Sequence, residues 1–371
     1  MRRLAVLVVV LGVGLTATAC VFPYYMQAIG GQVSLLRQRI PITEVVQDST
    51  FPATTRQQLE LVLDIREFAV AELDLPENDS YTSYVDLGRD YVVFNVIAAE
   101  EFSIEPMTWC FPVAGCVSYR GYFDRDKAQS FAAKLSADGY DIFTGGSPAY
   151  STLGHFADPV LNTMLDRGET NIATTLFHEL AHQRLYIKGD TQLSESFATA
   201  VEQFAVTLWL QHRSLSDELV RYRERLRREQ DFAELVARQR DRLQQIYADD
   251  TDASQLRQAK QAAFDRMREE YQSLRTSWGG NGDYDAWFAG ELNNAKLAGV
   301  TSYQRWVPGL LARLTALGPA EFYLEVEALA EQPVETRTAT LDAWNAGRVV
   351  ANRGLPTNGD QSTVTAFADQ R

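Results

Sequence analysis

The stretch ATTLFHELAHQRLYIKGDTQLSESFATAVEQ, residues 173–203, decides how the rest of the chain is interpreted. It holds His178 and His182, two of the four histidines in the chain, with Glu179 directly after the first. Positions four apart lie on the same face of an α-helix, so one rigid helix can direct both imidazoles at a single ion. The pattern HExxH therefore predicts a metal-binding helix.

Glu179 lies beside the face that carries the two histidines and is the candidate catalytic residue. Bound zinc lowers the pKa of its water to roughly 7, and a nearby carboxylate can take up the proton. The same carboxylate can later protonate a leaving amine. We therefore expect one Zn²⁺, held by His178 and His182, and a peptide substrate hydrolysed with Glu179 as general base.

A catalytic zinc site needs a third protein ligand and one open position. The downstream candidates are acidic: Asp190, Glu195 and Glu202. Gly189 and Asp190 predict a turn, and Ser194 can cap a second helix that has Glu195 in its first turn. Glu202 lies two helical turns further on, roughly 10 Å by helical rise, which suits an acceptor for an imidazole N–H. We therefore predict Glu195 as the third ligand.

The two remaining histidines have other expected roles. The longer pattern HExxHxxGxxH is excluded, because Leu185 and Lys188 stand at its glycine and last histidine positions. We expect His155 to be a loop residue, since three ligands are already assigned. His212 is expected at the end of the second helix, where a basic side chain favours the helix dipole.

Three features near the motif could contact substrate. The stretch from Tyr150 to Gly154 is expected to be an edge strand that pairs with an extended peptide. The alternative is a plain strand and loop whose tyrosine belongs to the core. Tyr303 and Tyr284 are candidates for stabilising the oxyanion, and packing with the hydroxyl at the surface is the alternative for each.

The first residues predict export. MRRLAVLVVVLGVGLTATAC has two arginines, an apolar run too short for a permanent span, and small residues before Cys20. We expect residues 1–19 to be a signal peptide. The segment before Cys20 resembles a bacterial lipobox, which implies lipidation of that cysteine, with ordinary secretion as the alternative. Residues 20–50 would then be a lipid-anchored, membrane-proximal segment. The residue after Cys20 is Val21 and not aspartate, which resembles the signal that sorts lipoproteins to the periplasmic face of the outer membrane.

Charge and cysteine content limit the possible partners. The formal net charge is -14, and removal of Arg2 and Arg3 with the signal peptide would make it -16. Such an acidic surface argues against nucleic acid as a partner. In an oxidising compartment, Cys110 and Cys116 are expected to form a disulfide that closes the loop between them.

The pattern along the chain predicts an α+β fold, with a small sheet beside a mainly helical body. The sheet is expected to come first, and helices are expected beyond about residue 170, including a protruding helical hairpin at about 217–276. We assign 51–351 to one peptidase domain and 352–371 to a flexible tail. The expected strands are 91–100, 117–123 and 141–154, and the expected helices are 54–73, 124–140, 171–187, 194–212, 285–298, 301–316 and 319–331.

Two resemblances support a peptidase. SESFA, residues 194–198, resembles the NEGFA-type segment of gluzincin aminopeptidases, in which the glutamate binds zinc, although the gap from His182 to Glu195 is shorter here. The chain is also similar to a bacterial family of predicted aminopeptidases, which are lipoproteins. That resemblance rests on these segments: YYMQAIGGQ, CFPVAGCVSYRGYF, AYSTLGHFADPVL, HELAHQRLYIKGDTQLSESFATAVE and NNAKLAGVTSYQRWVP. It implies a zincin-like fold, zinc and proteolysis.

Three functions are compatible with the sequence. The first is a zinc aminopeptidase that acts on short peptides in the periplasm. The second is an endopeptidase that trims envelope proteins, and the two differ in how they treat the substrate N-terminus. The third is a non-catalytic scaffold that contains zinc and binds a protein partner through the helical hairpin.

Overall fold

The computed structural model describes residues 24–111, 115–165, 168–301 and 305–352. The elements form a mixed α+β fold in which helices dominate, and every strand within these described ranges precedes the HExxH motif. The strands are β1 (Ile40–Pro41), β2 (Ser83–Val85), β3 (Val93–Ala99), β4 (Trp109–Phe111), β5 (Gly115–Val117), β6 (Arg120–Tyr122), β7 (Asp141–Ser147) and β8 (Val160–Leu161). The helices are α1 (24–37), α2 (Ile42–Gln47), α3 (Ala53–Leu73), α4 (Arg125–Ala137), α5 (Asn162–Leu165), α6 (Glu169–Arg184), α7 (Thr191–His212), α8 (Ser216–Tyr247), α9 (Ala253–Ser277), α10 (Asp285–Ala289), α11 (Asn294–Thr301), α12 (Val307–Leu317), α13 (Pro319–Ala330) and α14 (Val334–Asn352).

Several expectations concern residues outside the described part of the chain. These are the signal peptide, Cys20, Tyr303 and residues 353–371 of the expected tail. Among the described residues, no helix combines the length and apolarity needed to cross a membrane. The sequence pattern did not predict α14. The helix expected at 285–298 is two helices, because α10 ends at Ala289 and the next residue, Gly290, is extended.

The sheet with the longest strands is antiparallel and has β3 in the centre, between β6 and β7. Alternate residues of β3 face opposite sides of the sheet. Val96 packs with Ala128 of α4, while the side chain of Ile97 lies against Gly299 of α11. The sheet is therefore covered on one side by α4 and on the other by the helical body.

A disulfide closes the small hairpin of β4 and β5. Cys110 and Cys116 are directly opposite each other in the antiparallel register and are bonded through their sulfur atoms. Gly115 of this hairpin lies against the backbone of Gly189, in the connection between α6 and α7. The hairpin thus supports the turn that leads to the helix carrying Glu195.

The large hydrophobic core is centred on α3, α6, α7 and α12. The helix predicted at 54–73 is confirmed as α3, and its Leu59, Val62 and Ile65 are fully buried in this core. On α6 the buried side chains include Leu176 and Phe177, which immediately precede His178. Leu180 and Ala181, which lie between the two histidines, are buried as well, so the core fixes the backbone of the HExxH motif along its whole length.

The predicted helical hairpin is formed by α8 and α9, which bury their own apolar core. It does not stand free of the body. Arg257 donates to both carboxylate oxygens of Glu101 at 2.6 and 2.9 Å, and Lys260 lies 2.6 Å from Asp141 of β7. These ion pairs hold α9 against the sheet.

The prediction of an edge strand from Tyr150 to Gly154 is wrong. Strand β7 ends at Ser147, and the chain then forms a loop with positive φ angles at Leu153 (57°) and Gly154 (79°). The carboxylate of Asp158 accepts hydrogen bonds from the Thr152 amide at 2.7 Å and hydroxyl at 2.8 Å. This buried carboxylate binds a backbone amide that a strand would use for pairing. The segment therefore folds as a loop and does not pair as a strand.

The contact between the disulfide hairpin and the α6–α7 connection predicts unequal effects at two glycines. Gly115 (φ +78°) would place a Cβ 3.1 Å from the Gly189 nitrogen, whereas Gly139 (φ +91°) has no atom within 4 Å of that position. Each alanine substitution has the left-handed penalty, about 1–2 kcal/mol, and Gly115→Ala adds a backbone clash. Urea unfolding should show a larger loss of stability for Gly115→Ala than for Gly139→Ala. Equal losses would show that the hairpin does not support the connection.

Candidate metal centre

The candidate site is built on α6 and α7, which follow each other in the chain and pack against each other. His178, Glu179 and His182 lie on α6, and Glu195 and Glu202 lie on α7. The centre thus takes its side chains from two regular helices. Such a backbone holds donor atoms more rigidly than a loop does.

The connection between the two helices is short and internally hydrogen-bonded. Ser194 was expected to cap α7, and this is wrong: the helix begins at Thr191, and the Asp190 side chain accepts from the Leu193 amide at 3.1 Å. The Ser194 hydroxyl instead accepts from the Ile187 amide at 3.0 Å and donates to the Asp190 carbonyl at 2.9 Å. An aspartate is as good a cap as serine, so the helix starts earlier and Glu195 lies in its second turn.

A residue far along the chain fixes the same cap. Arg337 of α14 donates from Nη2 to the Asp190 carboxylate at 2.9 Å. The other carboxylate oxygen remains free to cap α7. The unpredicted helix α14 therefore contributes directly to the position of the helix that carries Glu195.

Three donor atoms converge at the centre. His178 Nε2 lies 3.1 Å from His182 Nε2, and Glu195 Oε2 lies 3.4 Å from the first and 3.5 Å from the second. His182 is 6% exposed, whereas the side chains of His178 and Glu195 are each 23% exposed. The group is thus closed on one side and open to solvent on the other, and it could hold a metal ion.

The spacing of these atoms fits a small tetrahedral ion. Zinc binds imidazole nitrogen and carboxylate oxygen at about 2.0–2.2 Å, which places any two ligands of a tetrahedron about 3.3 Å apart. The three separations, 3.1, 3.4 and 3.5 Å, are close to that value. His178, His182 and Glu195 therefore fit zinc without rearrangement of either helix.

Glu202 lies behind His178, as the sequence predicts for an acceptor of an imidazole N–H. His178 Nδ1 is 3.1 Å from Glu202 Oε2. When Nδ1 carries the proton and donates to this carboxylate, Nε2 presents its lone pair to the other donor atoms. Glu202 therefore fixes the tautomer that a metal ligand needs.

The electrostatic potential of the centre is negative, because two carboxylates lie next to His178. Burial lowers the pKa of His178, but the carboxylates of Glu195 and Glu202 outweigh it and raise that pKa well above its ordinary value. Burial raises the pKa of Glu195, yet hydrogen bonds from the two imidazoles hold it far below the usual range. The two carboxylates thus favour positive charge between the helices, which a proton or a divalent cation can provide.

Glu179 is close to two groups that the sequence did not single out. Burial raises the pKa of Glu179, and Asp158 contributes in the same direction. Tyr81 also lies near this carboxylate, has φ +61° and is completely buried. Its hydroxyl makes no hydrogen bond of standard geometry among the described residues, and Ser151 and Gln183 are the polar side chains within its reach. No local sequence signal marks either residue, because the fold brings them to Glu179 from distant segments.

The other candidates from the sequence lie away from the centre. His155 is an exposed loop residue, as predicted, and the His212 ring packs 5.2 Å from that of Phe68 at the end of α7. Tyr284 stacks on Phe232 with ring centroids 3.9 Å apart, inside the core of the hairpin. Tyr284 therefore packs in a hydrophobic core, which was the alternative to a role in stabilising the oxyanion.

A cavity of about 990 Å³ adjoins the centre without containing it. It lies between α7, α8 and α12, and Gln192 and Gln203 of α7 line it. These two glutamines flank the segment from Glu195 to Glu202, yet neither glutamate lines the cavity. The cavity thus lies beside α7, and none of the donor atoms of His178, His182 and Glu195 opens into it.

Comparison with known proteins identifies the family. A family model described as "Putative aminopeptidase" matches residues 23–341, which include both helices of the centre. No curated protein and no solved structure matches the chain. The match confirms the resemblance to predicted aminopeptidases that the sequence motifs indicated. The chain belongs to the Putative aminopeptidase family.

Proposed function

We propose that the protein is a zinc-dependent, zincin-like metallopeptidase, and that it acts as an aminopeptidase. One observation carries the proposal: the donor atoms of His178, His182 and Glu195 lie 3.1–3.5 Å apart on two packed helices, beside Glu179. Membership of the family supports a peptidase. The open side of the centre supports a catalytic rather than a closed structural site, because the described residues offer no fourth ligand.

Zinc held by these residues would act as a Lewis acid towards a peptide carbonyl and would make a water acidic enough to lose a proton near neutral pH. His178 and His182 supply neutral nitrogen donors, and Glu195 supplies one negative charge. Glu202 holds the proton on Nδ1 of His178. With two neutral donors and one anionic donor, the ligand set leaves one net positive charge to act on the substrate.

Glu179 moves the proton. Its carboxylate accepts a proton from the attacking water as the new C–O bond forms, and it returns that proton to the amine nitrogen as the C–N bond breaks. Burial raises the pKa of this carboxyl, which makes it a stronger base than an ordinary glutamate. The raised pKa suits a group that must both take up and release a proton.

We further propose that the enzyme is exported and anchored to the cell envelope through a lipid on Cys20. An enzyme so placed meets peptides outside the cytoplasm. An envelope endopeptidase is the alternative within the same chemistry. The scaffold hypothesis has less support, because ion pairs to Glu101 and Asp141 hold the hairpin that was to bind a partner against the sheet.

Metal analysis and peptide hydrolysis test the centre directly. We expect the purified protein to hold one zinc, and His182→Ala to lose it. Glu179→Gln should retain zinc but lose activity by about 10²–10⁴-fold, because only the proton carrier is removed. His155→Ala, which changes an exposed histidine of the loop, is the control and should keep both. Unchanged cleavage by Glu179→Gln would contradict the mechanism.

Glu202→Gln tests the support of His178. The amide can still accept a hydrogen bond from Nδ1, but it has no charge, so zinc affinity should fall by about 10–100-fold. Competition with a chromophoric chelator measures the affinity. The matched control is Glu224→Gln, an exposed glutamate on α8. Equal affinity in the wild type and Glu202→Gln would show that the 3.1 Å contact does not position the ligand.

Paired peptides with free and acetylated N-termini separate the two peptidase hypotheses. An aminopeptidase should release the first residue of the free peptide and should not cleave its acetylated partner. Mass spectrometry of the products shows which bond is cut. Cleavage of both peptides at an internal bond would establish the endopeptidase and leave the zinc mechanism intact.

A further inference from the structure

The outward face of α1 is apolar although it is exposed to solvent. Met26 is 51% exposed and Ile29 is 55% exposed, and they lie one helical turn apart on the same face. The partly buried Val33 continues this stripe, and Arg37 ends it. Large apolar side chains exposed together mark an interaction surface more often than chance.

The opposite face of α1 is fixed to the body. The Gln27 side-chain amide donates to the Gly121 carbonyl at 3.4 Å, and the Phe123 amide donates to Gln27 Oε1 at 3.1 Å. Gly31 lies directly against the Phe123 ring, where any Cβ would clash. The helix therefore has a defined orientation, and its apolar face points away from the protein.

The charge pattern of this region is opposite to that of the whole chain. The formal net charge is -14, yet residues 1–43 contain no Asp or Glu, and their charged residues are all arginine. Arg37 and Arg39 are both exposed at the C-terminal end of α1. A surface that is apolar along its length and basic at its edge is complementary to a phospholipid bilayer with anionic head groups.

The surface continues beyond the helix. Arg39 donates from Nη1 to the Ala157 carbonyl at 2.9 Å. The neighbours of these two residues, Ile40 and Phe156, are both exposed large apolar side chains. Phe156 belongs to the loop that Asp158 organises. A second apolar spot thus adjoins the basic end of α1.

The sequence before α1 also indicates a lipid surface. Cys20, which we propose carries a lipid, precedes the first residue of α1 by four positions. A second copy of the chain is a poorer occupant. In a two-fold pair built on this face, each Arg37 and Arg39 would meet a surface without acidic residues in α1 to neutralise them.

We propose that α1 is a membrane-docking helix: its outward face, with Met26 and Ile29, inserts into the head-group region of a bilayer, and Arg37 and Arg39 contact anionic lipid. Ile40 and Phe156 lie at the edge of the docked surface. This fixes the orientation of the protein on the membrane, in addition to any covalent anchor. The proposal does not depend on the peptidase activity.

The test uses the full chain reconstituted in vesicles of phosphatidylcholine, with and without phosphatidylglycerol. Single variants Met26→Cys, Ile29→Cys and Leu324→Cys carry an environment-sensitive fluorophore, and the unsubstituted chain labelled in parallel gives the background from Cys20. Leu324 is the matched control, because it is 65% exposed on α13. We expect quenching by lipids with a spin label on the acyl chain at positions 26 and 29, and none at 324.

The second part of the test reverses the charge of the two arginines at the end of α1. Arg37→Glu with Arg39→Glu should reduce quenching at position 26 in vesicles that contain phosphatidylglycerol and have little effect in phosphatidylcholine alone. Fluorescence at 26 and 29 as water-exposed as at 324 in both kinds of vesicle would overturn the proposal. A blue shift at 26 and 29 in detergent-free solution without vesicles, rising with protein concentration, would also overturn it in favour of self-association.

Discussion

The short connection between α6 and α7 is the constraint on which the candidate centre depends. His178 and His182 are placed by a single helix, but the third donor belongs to another helix, and its distance from them is set by residues 185–190. Two side chains hold the connection in place. The Ser194 hydroxyl accepts a hydrogen bond from the Ile187 amide, and Arg337 of α14 donates to the Asp190 carboxylate. Gly189, with φ +81°, makes the sharp change of direction that an L-residue would resist. The number of residues between His182 and Glu195 is small for a gluzincin. A tight turn, fixed by these hydrogen bonds, is what allows the chain to span it.

The electrostatics of the centre follow from burying acids and imidazoles together. Glu195 and Glu202 stabilise positive charge on His178, and a divalent cation between the helices would replace that proton. Glu179 is different, because burial raises the pKa of its carboxyl and the charge interaction with the imidazoles of His178 and His182 offsets this effect only in part. The carboxylates near His178 stabilise positive charge on its ring, whereas burial makes the carboxyl of the next residue, Glu179, a better proton acceptor. This contrast supports the proposal that His178 binds the metal ion and Glu179 transfers the proton.

The sequence predicted the parts of the site that depend on local periodicity. The spacing along the chain predicted HExxH on a helix, Glu195 on the next helix and Glu202 beside an imidazole, and the structure has all three, although Glu195 lies in the second turn of α7 and not in the first. The start of α7 was misplaced because serine and aspartate are both good caps, and only tertiary contacts, here with Arg337, decide between them. An edge strand was predicted from Tyr150 to Gly154 because this stretch lies between the last expected strand and the HExxH helix, where it could pair with an extended peptide. The buried carboxylate of Asp158 binds the backbone of this stretch and holds it as a loop, and no periodicity in the sequence reveals that contact.

The segments around Glu179 also connect the centre to the surface of α1. Tyr81, whose left-handed backbone has a cost of about 1–2 kcal/mol, donates its amide N–H to the Asp158 carbonyl at 2.6 Å. Asp158 in turn shapes the loop that begins at Tyr150, and the Tyr150 ring lies 5.2 Å from that of Phe123. Phe123 is the residue on which α1 rests through Gly31. A continuous series of contacts therefore runs from α1 to the region beside Glu179, through ring packing, the loop that Asp158 organises and the backbone hydrogen bond of Tyr81. If α1 lies on a bilayer and the candidate centre hydrolyses peptides, as we propose, these contacts set the distance between the lipid surface and the peptide bond that is cleaved.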